Sequence, residues 1–374
     1  MGGGIHKCKY QKLKCKNFEK IISLENLFLA WKEFKKGKRK KVDVQEFEFN
    51  LEDNLFQLHR ELKDRTYQHS NYTAFSVNDP KPIKIHKAIV RDRVLHHAIF
   101  RILYPIFDKG FIFDLYSCRI GKGTRRAVNR LEKFCRKLSR NNTKNIFALK
   151  CDIKRFFNSI DQDVLLKIIK HKIKDEDAIW LVDRIIKSFP DMDSRFRGND
   201  RDGRGNDSEK GGNDKNAGRN DNLGLPLGNV TSQLFANIYL DKLDQFIKHK
   251  LKIRYYLRYC DDFVILAENR SCFASVIAEI EKFLARELKL FLHPDKIIIR
   301  KYHQGIDFLG YVVLPHYRVL RTKTKKRILR KSSINQQKVA NGLMSKKSLN
   351  QSMQSYLGIL KHCCGYKIKK RVVF

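Results

Sequence analysis

The sequence predicts an α+β fold, on three observations. Short runs rich in Ile, Tyr, Leu, Val and Phe occur at residues 146–152, 253–259 and 263–267, the composition of strands. The last two runs flank Cys260-Asp261-Asp262, so they read as a hairpin with carboxylates at its tip. Helix-spaced apolar residues separate and follow these runs, as in CFASVIAEIEKFLAREL. Over 146–315 the order is strand, helices, hairpin, helix and closing strands, which suits a split βαβ sheet covered by helices on one side.

At 374 residues and 42% hydrophobic, the chain can bury a sizeable core and divide into subdomains. Residues 1–85 open with a basic arm and continue into amphipathic helices around LENLFLAWKEF and FEFNLEDNLFQLHREL. Residues 146–315 hold the candidate site. Within them, 191–222 carries recurrent RGND and GND units with almost no apolar side chains, so burial there cannot offset the entropy of ordering; it reads as a flexible insertion. Residues 316–374 contain no Asp or Glu, many Lys and Arg, and helix-spaced Leu349, Met353, Tyr356, Leu357 and Leu360.

The chemistry concentrates at the strand ends. Asp152 closes the apolar run IFALKCD, and if that strand lies beside the hairpin, Asp152 and Asp261 meet at one sheet edge. Carboxylates so placed repel unless cations lie between them. Mg²⁺ suits the position, being held by one or two carboxylates plus substrate phosphates. Taken alone, an Asp-Asp turn is equally an ordinary polar turn.

Seven blocks occur in a fixed order: IVRDRVLHHAI (89–99), SCRIGKGTRRAV (117–128), DIKRFFNSID (152–161), GLPLGNVTSQLFANIYLDKLD (224–244), YCDD (259–262), LHPDKIII (292–299) and FLGY (308–311). Together they resemble the reverse transcriptases, and the LPxGNxTSQ form of the fourth is most similar to the enzymes of bacterial diversity-generating retroelements. The resemblance implies a right-hand polymerase fold, with fingers at 86–145, palm at 146–315 and a basic helical thumb at 316–374. It implies an RNA-directed DNA polymerase with two Mg²⁺ ions, Mn²⁺ being a substitute, held by Asp152, Asp261 and, more loosely, Asp262. It implies that Lys296 stands near the leaving pyrophosphate. Arg91, Arg119 and Lys122 are candidate triphosphate cations; in so basic a chain each is also readable as a solvated charge or a template contact. Ile153, Leu227, Gly228 and Gln233 line the nucleotide position by the same resemblance, Phe157 is the steric gate that rejects a ribose 2′-OH, and Phe308, Leu309, Gly310 and Tyr311 form the primer grip. Phe157 is also readable as a core ring, and Gly310 as a plain strand bend.

One position departs from the family at large. Leu227 stands where most reverse transcriptases carry Gln before Gly, which removes hydrogen-bonding groups from nucleotide selection; the diversity-generating enzymes share this trait, implying error-prone copying opposite template adenine.

The formal net charge of +38, from 78 Lys and Arg against 40 Asp and Glu, fits a polynucleotide partner. Expected partners are an RNA template, a DNA or RNA primer, dNTPs and, by resemblance, a small basic accessory protein. The acid-free segment 316–374 offers no carboxylates for a nuclease centre, so template removal is expected to fall to other proteins. Nine cysteines without CxxC pairing, no bilayer-length apolar run and no signal core point to the cytoplasm. Neither His6, Cys8 and Cys15 nor His362, Cys363 and Cys364 has a usual zinc spacing. Cys135, Cys151 and Cys260 fall in apolar runs, and His96 and His97 are expected to pack or bond locally. A retron or other stand-alone reverse transcriptase, and a catalytically silent RNA-binding scaffold, are the alternatives.

Overall fold

The computed structural model describes residues 17–77, 83–189 and 222–373. The expected basic arm and nearly all of the 191–222 insertion lie outside the described residues. In chain order the elements are α1 (Asn17–Ile22), α2 (Leu24–Phe34), α3 (Val42–Phe49), α4 (Leu51–Lys63), β1 (Thr73–Val77), β2 (Ile83–Lys87), α5 (Val90–Asp108), α6 (Thr124–Leu138), β3 (Phe147–Asp152), α7 (Phe156–Ser159), α8 (Gln162–Lys172), α9 (Glu176–Lys187), α10 (Val230–Gln245), β4 (Tyr256–Tyr259), β5 (Asp262–Ala267), α11 (Cys272–Phe283), β6 (Ile298–Lys301), β7 (Ile306–Phe308), β8 (Tyr311–Val313), β9 (Arg318–Leu320), α12 (Thr322–Ala340), α13 (Lys346–Leu360) and α14 (Tyr366–Val373). Helices with antiparallel sheets make this an α+β fold, as the sequence predicts. No helix among the described residues is long and apolar enough to cross a membrane.

The chain forms two compact units, one from residues 1–110 and 155–240, the other from 111–154 and 241–374. Neither matches the expected 146–315 segment, which is shared between them. The first unit is mostly helical. Ser23 caps α2 by accepting from the Asn26 N–H, and the Asn26 amide donates to the Ile21 and Ala98 carbonyls, tying α1, α2 and α5 together.

The second unit is built on a four-stranded antiparallel sheet in the order β4-β5-β3-β6. β3 pairs β5 from Phe147↔Ala267 to Asp152↔Asp262, and β4 pairs β5 up to Tyr259↔Asp262. Side chains alternate along a strand, so Ala148, Lys150 and Asp152 share a face with Leu266, Val264 and Asp262. On that face Ala148, Val264 and Leu266 pack with Ala127, Val128, Leu131, Phe134 and Cys135 of α6, the core that fixes the register. A second sheet, β7-β8-β9, adds Phe308 and Val313 to the same core. α12, α13 and α14 bury Ile328, Leu360, Ile368 and Val372 with Leu320 in a smaller cluster.

Candidate active site

The β4–β5 hairpin turns through only Cys260 and Asp261, with Cys260 at φ +57°, a left-handed conformation unusual for a side chain of its kind. Two contacts hold it there. The Cys260 N–H donates to Ser117 Oγ at 2.8 Å, and its carbonyl accepts from Arg258 Nη1 at 2.8 Å. Arg258 is fully buried and grips Asp244 with both ends of its fork, Nε to Oδ1 at 2.8 Å and Nη2 to Oδ2 at 2.6 Å. The Tyr256 hydroxyl donates to Asp244 Oδ1 at 2.5 Å. Burial opposes the guanidinium's charge, but the Asp244 carboxylate outweighs it and holds the proton more firmly than usual.

Above this pair the carboxylates converge. Asp152 and Asp262 are register partners, and Asp152 lies close enough to Asp261 for the two carboxylates to interact directly. Burial, then repulsion from Asp152, pushes Asp261 up to about 7. Burial pushes Asp262 up to about 6 against the pull of Lys150, whose Nζ lies 3.2 Å from Asp262 Oδ2. The other oxygen, Asp262 Oδ1, is buried with no hydrogen-bond partner. Lys296 sits on a 3₁₀ turn, Pro294–Lys296, and forms an ion pair with Asp152 Oδ2. The His293 N–H donates to the Asp152 carbonyl at 2.8 Å, which anchors that turn to the end of β3.

Among the described residues no three of His, Cys, Asp and Glu form a ready-made metal cage. The Asp152–Asp261 contact is a two-carboxylate site, with Asp262 drawn towards Lys150. That donor set suits Mg²⁺, which takes one or two protein carboxylates and completes its shell with water and phosphate oxygens. The orphaned Asp262 Oδ1 and the proton-hungry Asp261 are what a divalent cation would relieve.

The FLGY block forms a tight hairpin. Phe308 pairs with Tyr311, and Leu309 and Gly310 turn at φ +49° and +88°, the sign pattern of a type I′ turn. Leucine there is strained. The Gly310 carbonyl accepts from the Arg321 N–H at 2.9 Å, and Arg321 Nε donates to Asp307 Oδ1 at 2.7 Å, so the loop is braced from the start of α12.

Three residues expected at the nucleotide have partners within the protein. Ile153 is buried and bridges to Leu292, so its side chain faces the core and only its backbone remains for a ligand. Arg119 donates to the Ile112 carbonyl at 2.8 Å, and Lys122 donates to the Phe113 carbonyl at 3.0 Å with its ammonium 3.6 Å from that ring. Both cations are bonded here to loop carbonyls.

The first unit carries the remaining candidates. Leu225 N–H donates to the Phe157 carbonyl at 2.8 Å, placing the LPLGN loop against α7, and Phe157 is half-buried on Phe156 with ring centroids 5.3 Å apart. His86 N–H donates to the Leu227 carbonyl at 2.9 Å. Gly228 lies at φ +131°, and a Cβ on it would stand 3.0 Å from the His86 carbonyl oxygen, so glycine is needed on both counts. Gln233 is exposed on α10. Arg91 is not a free cation: it bonds Glu61 at 2.9 Å, the Gln68 carbonyl at 2.7 Å and Asp92 at 3.3 Å.

A buried imidazole chain anchors the start of α10, in keeping with the local role expected of His96. His69 Nδ1 lies 2.6 Å from the Ser70 carbonyl, which only accepts, so that nitrogen carries the proton. His69 Nε2 must then accept from His96 Nε2 at 3.2 Å, and His96 Nδ1 accepts from the Thr231 hydroxyl at 2.6 Å. Burial pushes both histidines below the usual range, keeping the chain neutral.

Sequence reasoning missed Lys150, Ser117, Asp244, Arg258 and Arg321. Lys150 had a signal, since strand alternation puts it on the face of Asp152. The others reach the site through long-range contacts that no local pattern marks.

Residues 78–313 match the family described as reverse transcriptase (RNA-dependent DNA polymerase). Similar proteins include a putative COX1/OXI3 intron 2 protein of Saccharomyces cerevisiae, 20% identical over 280 residues, covering 60% of this chain and 29% of that protein. Protein YkfC of Escherichia coli is 23% identical over 254 residues, covering 59% of this chain and 60% of YkfC. This chain therefore spans less than two thirds of either relative. Among solved structures, apo telomerase from Candida tropicalis, truncated from its C-terminal domain, aligns at TM-score 0.46 and 13% identity over 68% of this chain and 55% of that one. With a match covering more than half of the sequence and including Asp152, Asp261 and Asp262, the chain belongs to the reverse transcriptase family.

Proposed function

We propose that this protein is an RNA-directed DNA polymerase that extends a DNA or RNA primer with dNTPs along an RNA template. The observation that carries the reading is the Asp152–Asp261 contact, two carboxylates held together at a sheet end in a chain of this family. Asp152 and Asp261 would hold Mg²⁺, with Asp262 Oδ1 as a further oxygen; when bound, such ions neutralise the attacking and leaving oxygens of an in-line phosphoryl displacement. Lys296, paired with Asp152 here, would neutralise charge developing on the pyrophosphate. The Leu309–Gly310 turn would hold the primer terminus, Phe157 would exclude the ribose 2′-OH, and α12–α14 would be the thumb that tracks the template–primer backbone. Arg119 and Lys122 would have to leave their carbonyl partners to reach a triphosphate. Incorporation of labelled dNTPs on a primed RNA template, compared between the native protein and Asp261→Ala, tests the reading. Absence of product from the native protein would favour a silent RNA-binding scaffold.

The finer proposal is a diversity-generating retroelement enzyme, cytoplasmic and working with a small basic accessory protein, supported by Leu227 and the LPxGNxTSQ block. The intron-named yeast relative favours a second reading, an intron-type or retron-like enzyme. A template repeat beside a variable gene in the neighbouring DNA would support the first, and a structured noncoding RNA gene the second. If Leu227→Gln leaves errors opposite template adenine unchanged, Leu227 is not their cause.

A further inference from the structure

Four cations meet at the far end of α6. Lys133, Arg136, Lys137 and Arg140, with Asn141, line a concavity of about 390 Å³, and no acidic side chain contributes to it. On a helix, residues three and four apart share one face, so Lys133, Arg136 and Lys137 of α6 gather on one side while Leu131, Phe134 and Cys135 face the core, and Arg140, just past the helix end at φ +48°, joins them in the lining. All four are exposed. Two other cations at this helix have acidic partners: Arg130 Nε lies 2.8 Å from Asp114 Oδ1, and Arg318 Nε lies 3.4 Å from Glu132 Oε1. Among the described residues these four have no carboxylate within ion-pair distance. The negative end of the helix dipole favours cations in the last turn. It does not require four of them to converge on one concavity, where like charges at i, i+3 and i, i+4 repel.

The location separates this patch from the chemistry. The first residue of α6 is beside the catalytic hairpin, Thr124 Oγ1 lying 3.3 Å from the Tyr259 hydroxyl. Fifteen helical residues then carry the chain about 21 Å to Leu138. β3 gives an independent measure: residues 139–146 lead into Phe147, and Asp152 is at the other end of that strand, roughly 17 Å away.

We infer that this concavity binds the phosphodiester backbone of a second RNA segment, outside the path of the template–primer. Lys133 to Lys137 extend about 6 Å along the helix axis and Arg140 carries the row past its end, which suits successive phosphates of one strand better than a compact polyphosphate. No lining residue is aromatic, so bases have nothing to stack on. A paired, structured region presenting only its backbone is the RNA that fits. The inference rests on the proposed function only in taking RNA as the ligand.

The test is the triple variant Lys133→Gln/Arg136→Gln/Lys137→Gln, assayed on a short primed RNA template and on the same template extended by a long hairpin. All three side chains are exposed, and an unchanged melting temperature confirms the fold. Binding of the extended RNA should weaken at least tenfold, and the dependence of log K on log salt should flatten by about two. Affinity for the short template and the incorporation rate on it should not change. Equal losses on both RNAs would make the patch part of the template path, and no loss on either would make it an ordinary solvated face. Either result overturns the inference, as would micromolar displacement of the hairpin by inorganic tripolyphosphate. A native protein that makes no cDNA would sink the proposed function and leave this binding comparison standing.

Discussion

Two clusters of charge lie within a few residues of each other on the β4–β5 hairpin, and they are built on opposite terms. In the Arg258–Asp244–Tyr256 cluster the guanidinium fork meets both carboxylate oxygens, and its remaining arm takes the Cys260 carbonyl. In the Asp152–Asp261–Asp262 cluster, like charges face each other, both Asp261 and Asp262 are pushed towards their protonated forms, and one buried oxygen has no partner. The satisfied cluster sets geometry; the unsatisfied one is where an outside cation gains most. A protein selected for stability alone would not retain the second beside the first.

The comparison breaks first at the carboxylates. Asp261→Asn should lower nucleotide incorporation by roughly a thousandfold or more, since metal charge stabilisation is worth several kcal/mol, while the metal-free protein melts no lower than the native one at pH 8. Loss of activity with a matching loss of stability would mean that Asp261 is structural.

The satisfied cluster should respond in the opposite sense. Arg258→Ala leaves Asp244 buried and unpaired and should cost about 3–5 kcal/mol of stability, read by denaturant unfolding. Arg258→Lys keeps a charge for Asp244 but loses the fork, so it should fold and yet need more Mg²⁺ for half-maximal activity, because the Cys260 turn is no longer held from below. An unchanged Mg²⁺ requirement would show that the clasp does not position Asp261.

A pH titration sharpens the contrast. Asp261 and Asp262 are raised in the fold to about 7 and about 6, so between about pH 4 and 7 the folded protein binds more protons than the unfolded chain. Metal-free stability should therefore fall as pH rises through that window and then level off. Mg²⁺ should raise the melting temperature more at pH 7.5 than at pH 5, since it competes with those protons. A metal-free stability that rises from pH 5 to 7, with Mg²⁺ making no difference, would contradict the account.

The smallest effect concerns the strained turn at Leu309. Leu309→Gly removes a left-handed conformation costing about 1–3 kcal/mol, partly offset by the greater freedom of glycine in the unfolded chain. Stability should change by about 1 kcal/mol or less, and the readout is processivity on a long template, which should decline if leucine packing aims the primer.

Much of the site was legible because its signals are local. An apolar run ending in Asp152, and an Asp pair between two β-rich runs, mark the strand and the hairpin through strand periodicity; that the two lie side by side, and so bring the carboxylates together, comes from the β3–β5 pairing. Arg258 was not legible: an Arg in a strand reads as solvent-facing, and its burial depends on Asp244, fourteen residues earlier on α10. Arg91, Arg119 and Lys122 carried a family pattern, but the partners that occupy them are set by how the chain folds: Glu61 lies thirty residues from Arg91, and the two loop carbonyls are brought to Arg119 and Lys122 by the turn of the 112–122 loop. The division into two interleaved units was equally hidden, because periodicity shows which face is apolar and not which element covers it.

The most direct test measures Mg²⁺-dependent incorporation of dNTPs on a primed RNA template, with the native protein and Asp261→Asn side by side at matched stability. The account predicts template-directed cDNA from the native protein, none without a divalent cation and none from the variant. Equal synthesis by both proteins, or none from either under any divalent cation, would contradict it.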